Sequence, residues 1–278
     1  MKILCLHGYG TSPDILRYQL SGVLKMADPT WEFHFLAGDI PCEPALGANN
    51  FPPPYMCYNN VFDPEHEALA HDLIEDEFIQ HGPFEGVVAF SQGAATITSY
   101  LVERVASNPT ESLPLRFLVL CSPTLPLASD RALCERFIEN LNDADKLRLQ
   151  SGDMSQIADI SGPVQPAVQL MADVLEATRE ATHQPLGYYF DRPIDKVPWA
   201  LNPDFCDARL SIPVFHVRGK SEPVAFAQCT RWISSFFDLK KQRFFEHTAG
   251  HDIPRSTSEI RRMISGIEWA VAQSGLPT

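Results

Sequence analysis

The sequence predicts an α/β fold in which a mostly parallel sheet carries helices on both faces. Short apolar runs at residues 3–6, 86–90 and 116–121 are typical of buried parallel strands. Helical spacing of apolar residues follows the first two runs, and strands alternating with helices in this way build parallel sheets. With 278 residues, 45% of them hydrophobic, the chain can form one large domain with a sizeable core.

The bulk composition restricts the class of partner. A formal net charge of −13 argues against general binding of nucleic acids or anionic membranes. Seven cysteines without a C-x-x-C pair are typical of reduced thiols in an intracellular, cytoplasmic protein and give no zinc motif. No apolar run is long enough to cross a membrane, and the first residues do not resemble a signal peptide. We therefore expect neither a metal nor an organic cofactor.

The remaining elements follow in chain order. A helix is predicted after Ser12 and Pro13, and residues 31–36 alternate like a strand. Residues 41–64 are rich in proline and aromatic residues and predict a long loop, which either lines a pocket or is merely solvated. The later pattern predicts helices at 65–81, 224–237 and 256–272 and strands at 212–217 and 242–246.

Between residues 123 and 208 the alternation of strands and helices stops. Helical patterns at 129–140 and 166–182 follow one another without a strand, and the aromatic segment 188–193 comes after them. We interpret residues 123–208 as a lid inserted into a single domain of residues 1–278. The alternative is a helical hairpin that only packs on the surface.

The segment Ala89-Phe90-Ser91-Gln92-Gly93 joins a predicted strand to a predicted helix. A serine between small residues at such a junction is typical of a nucleophile elbow, a turn so sharp that the hydroxyl stands clear of the backbone. The usual motif is G-x-S-x-G, and Ala89 replaces its first glycine. Ser91 is therefore the candidate nucleophile.

A serine hydroxyl needs an imidazole to accept its proton and a carboxylate to orient that imidazole. His251 and Glu222 each follow a late predicted strand, so both should emerge at the sheet edge where Ser91 emerges. Their chain order, serine then acid then histidine, is that of α/β-hydrolases. His247 is the rival base, and three carboxylates remain as alternative acids: Asp195, Asp204 and Asp207.

The developing oxyanion needs preorganised donors. In this architecture they are the backbone N–H after the nucleophile and one from the loop after the first strand, which predicts Gln92 and Tyr9. We interpret His7 in that loop as a structural brace rather than a proton carrier.

Four blocks of the sequence resemble the FSH serine-hydrolase family: residues 6–9, 89–94, 216–224 and 249–254. They occur in the family's order and extend over nearly the whole chain. The resemblance implies an α/β-hydrolase with a Ser-Asp-His triad, although here Glu222 stands where the family usually has aspartate. Members include small intracellular esterases and fungal thioesterases that release polyketide chains from synthases.

We therefore expect cleavage of an acyl ester or thioester through an acyl-Ser91 intermediate, with a polyketide-like thioester on an acyl carrier protein as the preferred substrate. A general carboxylesterase is the alternative, and a lapsed hydrolase that only binds a ligand is a third. The expected substrate-binding residues are aromatic: Tyr55, Tyr188, Tyr189 and Phe190. The cations expected to flank the pocket mouth and meet the carrier protein are Arg192, Lys196, Arg218 and Lys220.

Overall fold

A six-stranded parallel sheet forms the centre of the molecule, which the computed structural model describes for residues 1–276. The order across the sheet is β2-β1-β5-β6-β7-β8, and every neighbouring pair is parallel. These strands are β1 (Lys2–Leu6), β2 (Glu32–Leu36), β5 (Gly86–Phe90), β6 (Phe117–Cys121), β7 (Val214–Gly219) and β8 (Gln242–His247). The predicted sheet is confirmed.

Helices cover both faces of the sheet, which explains why the central strands are apolar without interruption. Ile3 and Cys5 of β1 pack on one face, and Leu4 and Leu6 pack on the other. The first face carries α1 (Pro13–Gln19), α2 (Ser21–Met26) and α12 (Thr257–Gln273). The second carries α3 (Pro64–His81), α4 (Gln92–Ser107) and α11 (Val224–Ser234).

The insertion between β6 and β7 contains six α-helices and one short 3-10 helix (Ile194–Lys196). The α-helices are α5 (Arg131–Glu139), α6 (Asp143–Gln150), α7 (Met154–Ala158), α8 (Gln165–Ala177), α9 (Arg179–Thr182) and α10 (Leu186–Phe190). Their apolar sides join the core of the second sheet face. The sequence predicted two helical stretches here and missed α6, α7 and α10, which are short, and half of the residues in α6 are charged. We use "the insertion" for residues 123–208.

A long segment between β2 and α3, residues 37–63, contacts the loop after β1, and we name it the strap. It contains one short helical turn (Ala48–Asn50) and a two-residue hairpin, β3 (Ile40–Pro41) with β4 (Met56–Cys57), so the predicted long loop is largely confirmed. The Tyr58 hydroxyl donates to the Leu36 carbonyl at 3.1 Å and accepts from the His7 N–H at 3.1 Å. These contacts fasten the strap beside the loop after β1.

Within the described residues, no helix combines the length and the apolar character that crossing a bilayer requires.

Candidate active site

Ser91 lies at the sharp turn between β5 and α4. Its backbone has φ 52° and ψ −117°, an unfavourable conformation for a residue with a side chain, and its N–H donates to the Cys121 carbonyl at 2.9 Å. A Cβ at Gly93 would lie 2.6 Å from the His7 carbonyl oxygen, so only glycine fits there. Ala89, in contrast, lies inside β5 with its methyl group in the core. The turn therefore tolerates alanine at the motif's first position.

His251, in the loop between β8 and α12, meets the serine. Its Nε2 lies 2.9 Å from Ser91 Oγ, a hydrogen-bond distance. The imidazole packs between two rings, with centroids 5.2 Å from Phe90 and 4.5 Å from Phe226. The ring is thereby held where it can accept the serine proton. The sequence did not identify Phe226 as a site residue, because its pattern indicates only an apolar position of α11.

Glu222 lies in the turn after β7, and its side chain is 1% exposed. One carboxylate oxygen, Oε1, accepts from the Ser122 hydroxyl and from the Gly219 N–H at 3.0 Å, and lies 3.8 Å from His251 Nδ1. Burial alone would raise the pKa of this carboxyl, but the His251 ring and these donors outweigh burial and hold the pKa below its usual range. The 3.8 Å separation is longer than a hydrogen bond, and such contacts are often long in unliganded sites.

The rival residues lie elsewhere. His247 is fully buried, and desolvation lowers the pKa of its imidazole, whereas the hydrogen bond to Ser91 comes from His251. The three alternative acids, Asp195, Asp204 and Asp207, are exposed. The structure therefore brings together Ser91, His251 and Glu222.

The two expected oxyanion donors line the cavity that contains Ser91. Gln92 is the first residue of α4, so its N–H has no acceptor within its own helix. Within residues 1–276, neither the Tyr9 nor the Gln92 amide donates a hydrogen bond. Both amides are thus available to a ligand.

His7 is fully buried beneath this loop. Its Nε2 accepts from the Gly38 N–H at 2.9 Å, which requires a neutral ring whose Nδ1 faces the Gly8 carbonyl at 2.8 Å. Burial lowers the pKa of the imidazole to about 4, so the ring stays neutral at neutral pH. The geometry is that of a brace between the loop and the strap.

A cavity of about 510 Å³ opens beside Ser91 and His251. Its size is within the range of small-molecule sites. The strap supplies one wall, and helices α8 and α9 of the insertion supply the other. Its apolar lining includes Leu46, Phe51, Phe62, Leu125, Met171, Leu175 and Phe226.

The four aromatic residues expected to bind substrate do not line this cavity, which corrects the sequence analysis. Tyr189 and Phe190 are fully buried in the core of the insertion, and Tyr188 is 42% exposed. The Tyr55 hydroxyl donates to the Phe51 carbonyl within the strap. Tyr189 packs behind a lining residue, with its ring centroid 5.4 Å from that of Phe62, so it supports the wall without forming it.

The expected cations also lie away from the cavity lining. Arg218 pairs with Glu246, and Lys196 pairs with Glu65. The Arg192 guanidinium contacts backbone carbonyls, and Lys220 is exposed in the turn that carries Glu222. The arginine that lines the cavity is Arg255, which pairs with Asp252 at 2.8 Å.

Across the described part of the chain, no group of three or more histidine, cysteine, aspartate or glutamate side chains is arranged to hold a metal ion.

Comparison with known proteins identifies the family. The family model "Serine hydrolase (FSH1)" matches residues 1–263. "Serine hydrolase cnsH" of Penicillium expansum is 45% identical over 227 residues, which cover 82% of this chain and 94% of that protein. "Esterase alnB" of Emericella nidulans is 30% identical over 98% of this chain and 97% of its own length. The chain therefore belongs to the FSH1 serine hydrolase family and is a hydrolase of the α/β-hydrolase fold.

Proposed function

We propose that this hydrolase cleaves acyl esters or thioesters through an acyl-Ser91 intermediate. His251 takes the serine proton as Ser91 Oγ attacks the acyl carbon, and the Tyr9 and Gln92 amides bind the oxyanion that forms. His251 then returns the proton to the leaving alcohol or thiol. Water, activated by the same imidazole, releases the acid and restores the serine.

The observation that carries this proposal is the 2.9 Å contact between Ser91 Oγ and His251 Nε2 at the floor of the cavity. Glu222 supports it, because a buried carboxylate 3.8 Å from Nδ1 stabilises the imidazolium formed during attack. The two free amides beside Ser91 complete the set of groups that acyl transfer requires.

For the substrate, we propose an extended apolar acyl chain delivered as a carrier-protein thioester. The cavity walls are mostly aliphatic and aromatic, which matches a polyketide-like acyl group. Arg255, which is paired with Asp252, places a cation within the cavity lining, where the phosphate of a carrier-protein prosthetic arm would compete for it. The relative named "Esterase alnB" supports a second candidate, a general carboxylesterase for small esters.

The test compares two donors that carry the same acyl group, an acyl carrier protein and a short thiol. We expect the carrier donor to have the higher kcat/KM. Arg255→Gln should raise KM for the carrier donor more than for the short thioester, because the lost cation matters only for the anionic donor.

Arg116→Gln is the matched control, since this exposed arginine precedes β6 at the opposite edge of the sheet. Equal kcat/KM for both donors in the wild type would contradict the carrier-protein proposal and favour the carboxylesterase.

A further inference from the structure

Ser122 occupies the turn after β6, between the turns that carry Ser91 and Glu222. The sheet order β5-β6-β7 places these three turns side by side at one edge. Ser122 is fully buried and has φ 47°, a left-handed conformation that is unfavourable for a residue with a side chain. Its N–H donates to the Val217 carbonyl at 2.7 Å, which holds the turn against β7.

The Ser122 hydroxyl donates to Oε1 of Glu222, a residue 100 positions later in the chain. The Gly219 N–H donates to the same oxygen at 3.0 Å. Within residues 1–276, the other oxygen, Oε2, has no hydrogen-bond partner, and neither has His251 Nδ1. The carboxylate is therefore anchored by two donors that belong to neither the nucleophile nor the base.

A glutamate has one more rotatable bond than an aspartate, so its carboxylate needs more restraint to stay in one place. The backbone here also leaves little space: a Cβ at Gly219 would lie 2.1 Å from the Gly250 carbonyl oxygen. The turn after β7 and the loop that carries His251 thus lie in contact, and a small displacement of the Glu222 carboxylate changes its distance from His251 Nδ1.

We propose that Ser122 is a positioning residue, whose hydroxyl holds the Glu222 carboxylate, ionised and oriented, beside His251. This inference rests on the proposed function, because it assigns Ser122 a role only through Glu222. The buried serine at a strained turn has an explanation in this role, since glycine would fit the backbone better but would supply no hydroxyl.

Loss of the hydroxyl has a consequence that depends on pH. Burial favours the neutral form of Glu222, and the Ser122 donor is one of the contacts that oppose burial. The other titratable groups around the carboxylate are Cys121 of β6, Cys229 of α11, His247 and His251. Burial raises the pKa of both thiols, so they remain uncharged in the range where the enzyme would be assayed.

The experiment measures ester hydrolysis by Ser122→Gly across pH. We expect kcat to fall about 10- to 100-fold, the effect expected for losing one hydrogen bond to a charged group, with KM little changed. The acidic limb of the kcat/KM profile should move to higher pH, because Glu222 now protonates more readily. Ser122→Ala, which also lacks the hydroxyl, is the second variant.

Ser99→Ala is the matched control, because Ser99 is also fully buried and its hydroxyl donates to the Leu127 carbonyl, away from the triad. Its pH profile should match that of the wild type. If Ser122 acts only through Glu222, the double variant Ser122→Gly/Glu222→Gln should be no slower than Glu222→Gln alone, which should lose about 10³- to 10⁴-fold.

The possible results separate the two proposals. Wild-type kcat and an unshifted profile in Ser122→Gly and Ser122→Ala, with Glu222→Gln strongly impaired, would overturn the role of Ser122 and leave the triad intact. A double variant whose loss in kcat equals the product of the two single losses would also overturn it. A nearly wild-type Glu222→Gln would instead overturn the assignment of the acid.

Discussion

The floor of the site and its cover are built on different principles. The floor consists of residues that end parallel strands: Ser91 after β5, Glu222 after β7 and His251 shortly after β8. The cover consists of the strap and the helices α8 and α9, which bring together residues far apart in the chain. The position of each floor residue depends on the sheet, whereas each cover residue depends on how separate segments pack.

This difference separates chemistry from selectivity. Substitutions in the floor should change the rate for every substrate, and substitutions in the cover should change the ranking of substrates. A polar cluster of Asn59, Glu67, His71 and Ser129 links α3 to the strap and the insertion. Substitutions there should change stability, and neither the rate nor the ranking of substrates.

Ser91→Ala and His251→Ala should each lower kcat for ester hydrolysis by about 10⁶, and the double variant should be little worse, because the two residues act as a unit. Steady-state kinetics with a chromogenic ester would measure the three losses. Multiplicative losses in the double variant would contradict a shared catalytic role.

Leu175→Ala should shift selectivity toward longer acyl chains, because Leu175 of α8 lines the cavity and a shorter side chain leaves more space for the acyl chain. We expect the ratio of kcat/KM between a longer and a shorter acyl ester to change by about ten-fold, the scale of a few methylene contacts. A series of esters differing only in acyl length would measure the ratio.

The matched control is Phe190→Ala, which removes an apolar side chain from the insertion without altering the cavity lining. It should lower the free energy of unfolding by about 3–5 kcal/mol and leave the chain-length ranking unchanged. If instead Phe190→Ala changes the ranking and Leu175→Ala does not, the cavity described here does not bind the acyl chain.

Glu67→Gln should change the pH dependence of stability where α3 meets the strap and the insertion. Glu67 of α3 accepts from Asn59 of the strap at 3.0 Å and lies 3.7 Å from His71, which contacts Ser129 of the insertion at 3.2 Å. Burial, and further the nearby Glu103, raises the pKa of Glu67 to about 8, against the hydrogen bond from Asn59.

The pKa of Glu67 is higher in the folded protein than in the unfolded chain. Its contribution to stability is therefore complete below the pKa of the unfolded chain, about 4.3, and is lost as pH rises through the folded pKa of about 8. Burial lowers the pKa of His71 to about 4, and its contribution is lost only as pH falls below about 6.5. As pH rises from 6.5 to 8, the free energy of unfolding of the wild type should therefore fall by on the order of 1–2 kcal/mol relative to that of Glu67→Gln. Urea unfolding would measure this difference.

The control for this change is Glu65→Gln, since Glu65 lies in the same helix but is exposed and pairs with Lys196. Parallel stability curves for wild type and Glu67→Gln over this pH interval would show that Glu67 does not titrate as described.

The sequence was sufficient to predict the sheet and the three residues that the fold brings to its edge, because strand ends can be located from local apolar runs. It was insufficient to predict which residues line the cavity. Leu175 and Tyr189 are both apolar positions of helices in the insertion, and only the packing of those helices decides that one faces the cavity and the other the core. The aromatic character of residues 188–190 did not indicate whether their side chains face the cavity or the core.

Ser122 illustrates the same limit. In the sequence it marks only the absence of a carboxylate after β6, and its contact with Glu222 depends on the adjacency of β6 and β7 in the sheet. A hydrogen bond between residues 100 positions apart has no local pattern that would predict it.

The most direct test of the central claim is covalent labelling by a fluorophosphonate, followed by mass spectrometry of the intact protein and its peptides. The account predicts one adduct per chain, located on Ser91, with no labelling of Ser91→Ala and much slower labelling of His251→Ala. An unlabelled wild-type protein that hydrolyses esters, or an adduct on another residue that persists in Ser91→Ala, would contradict it.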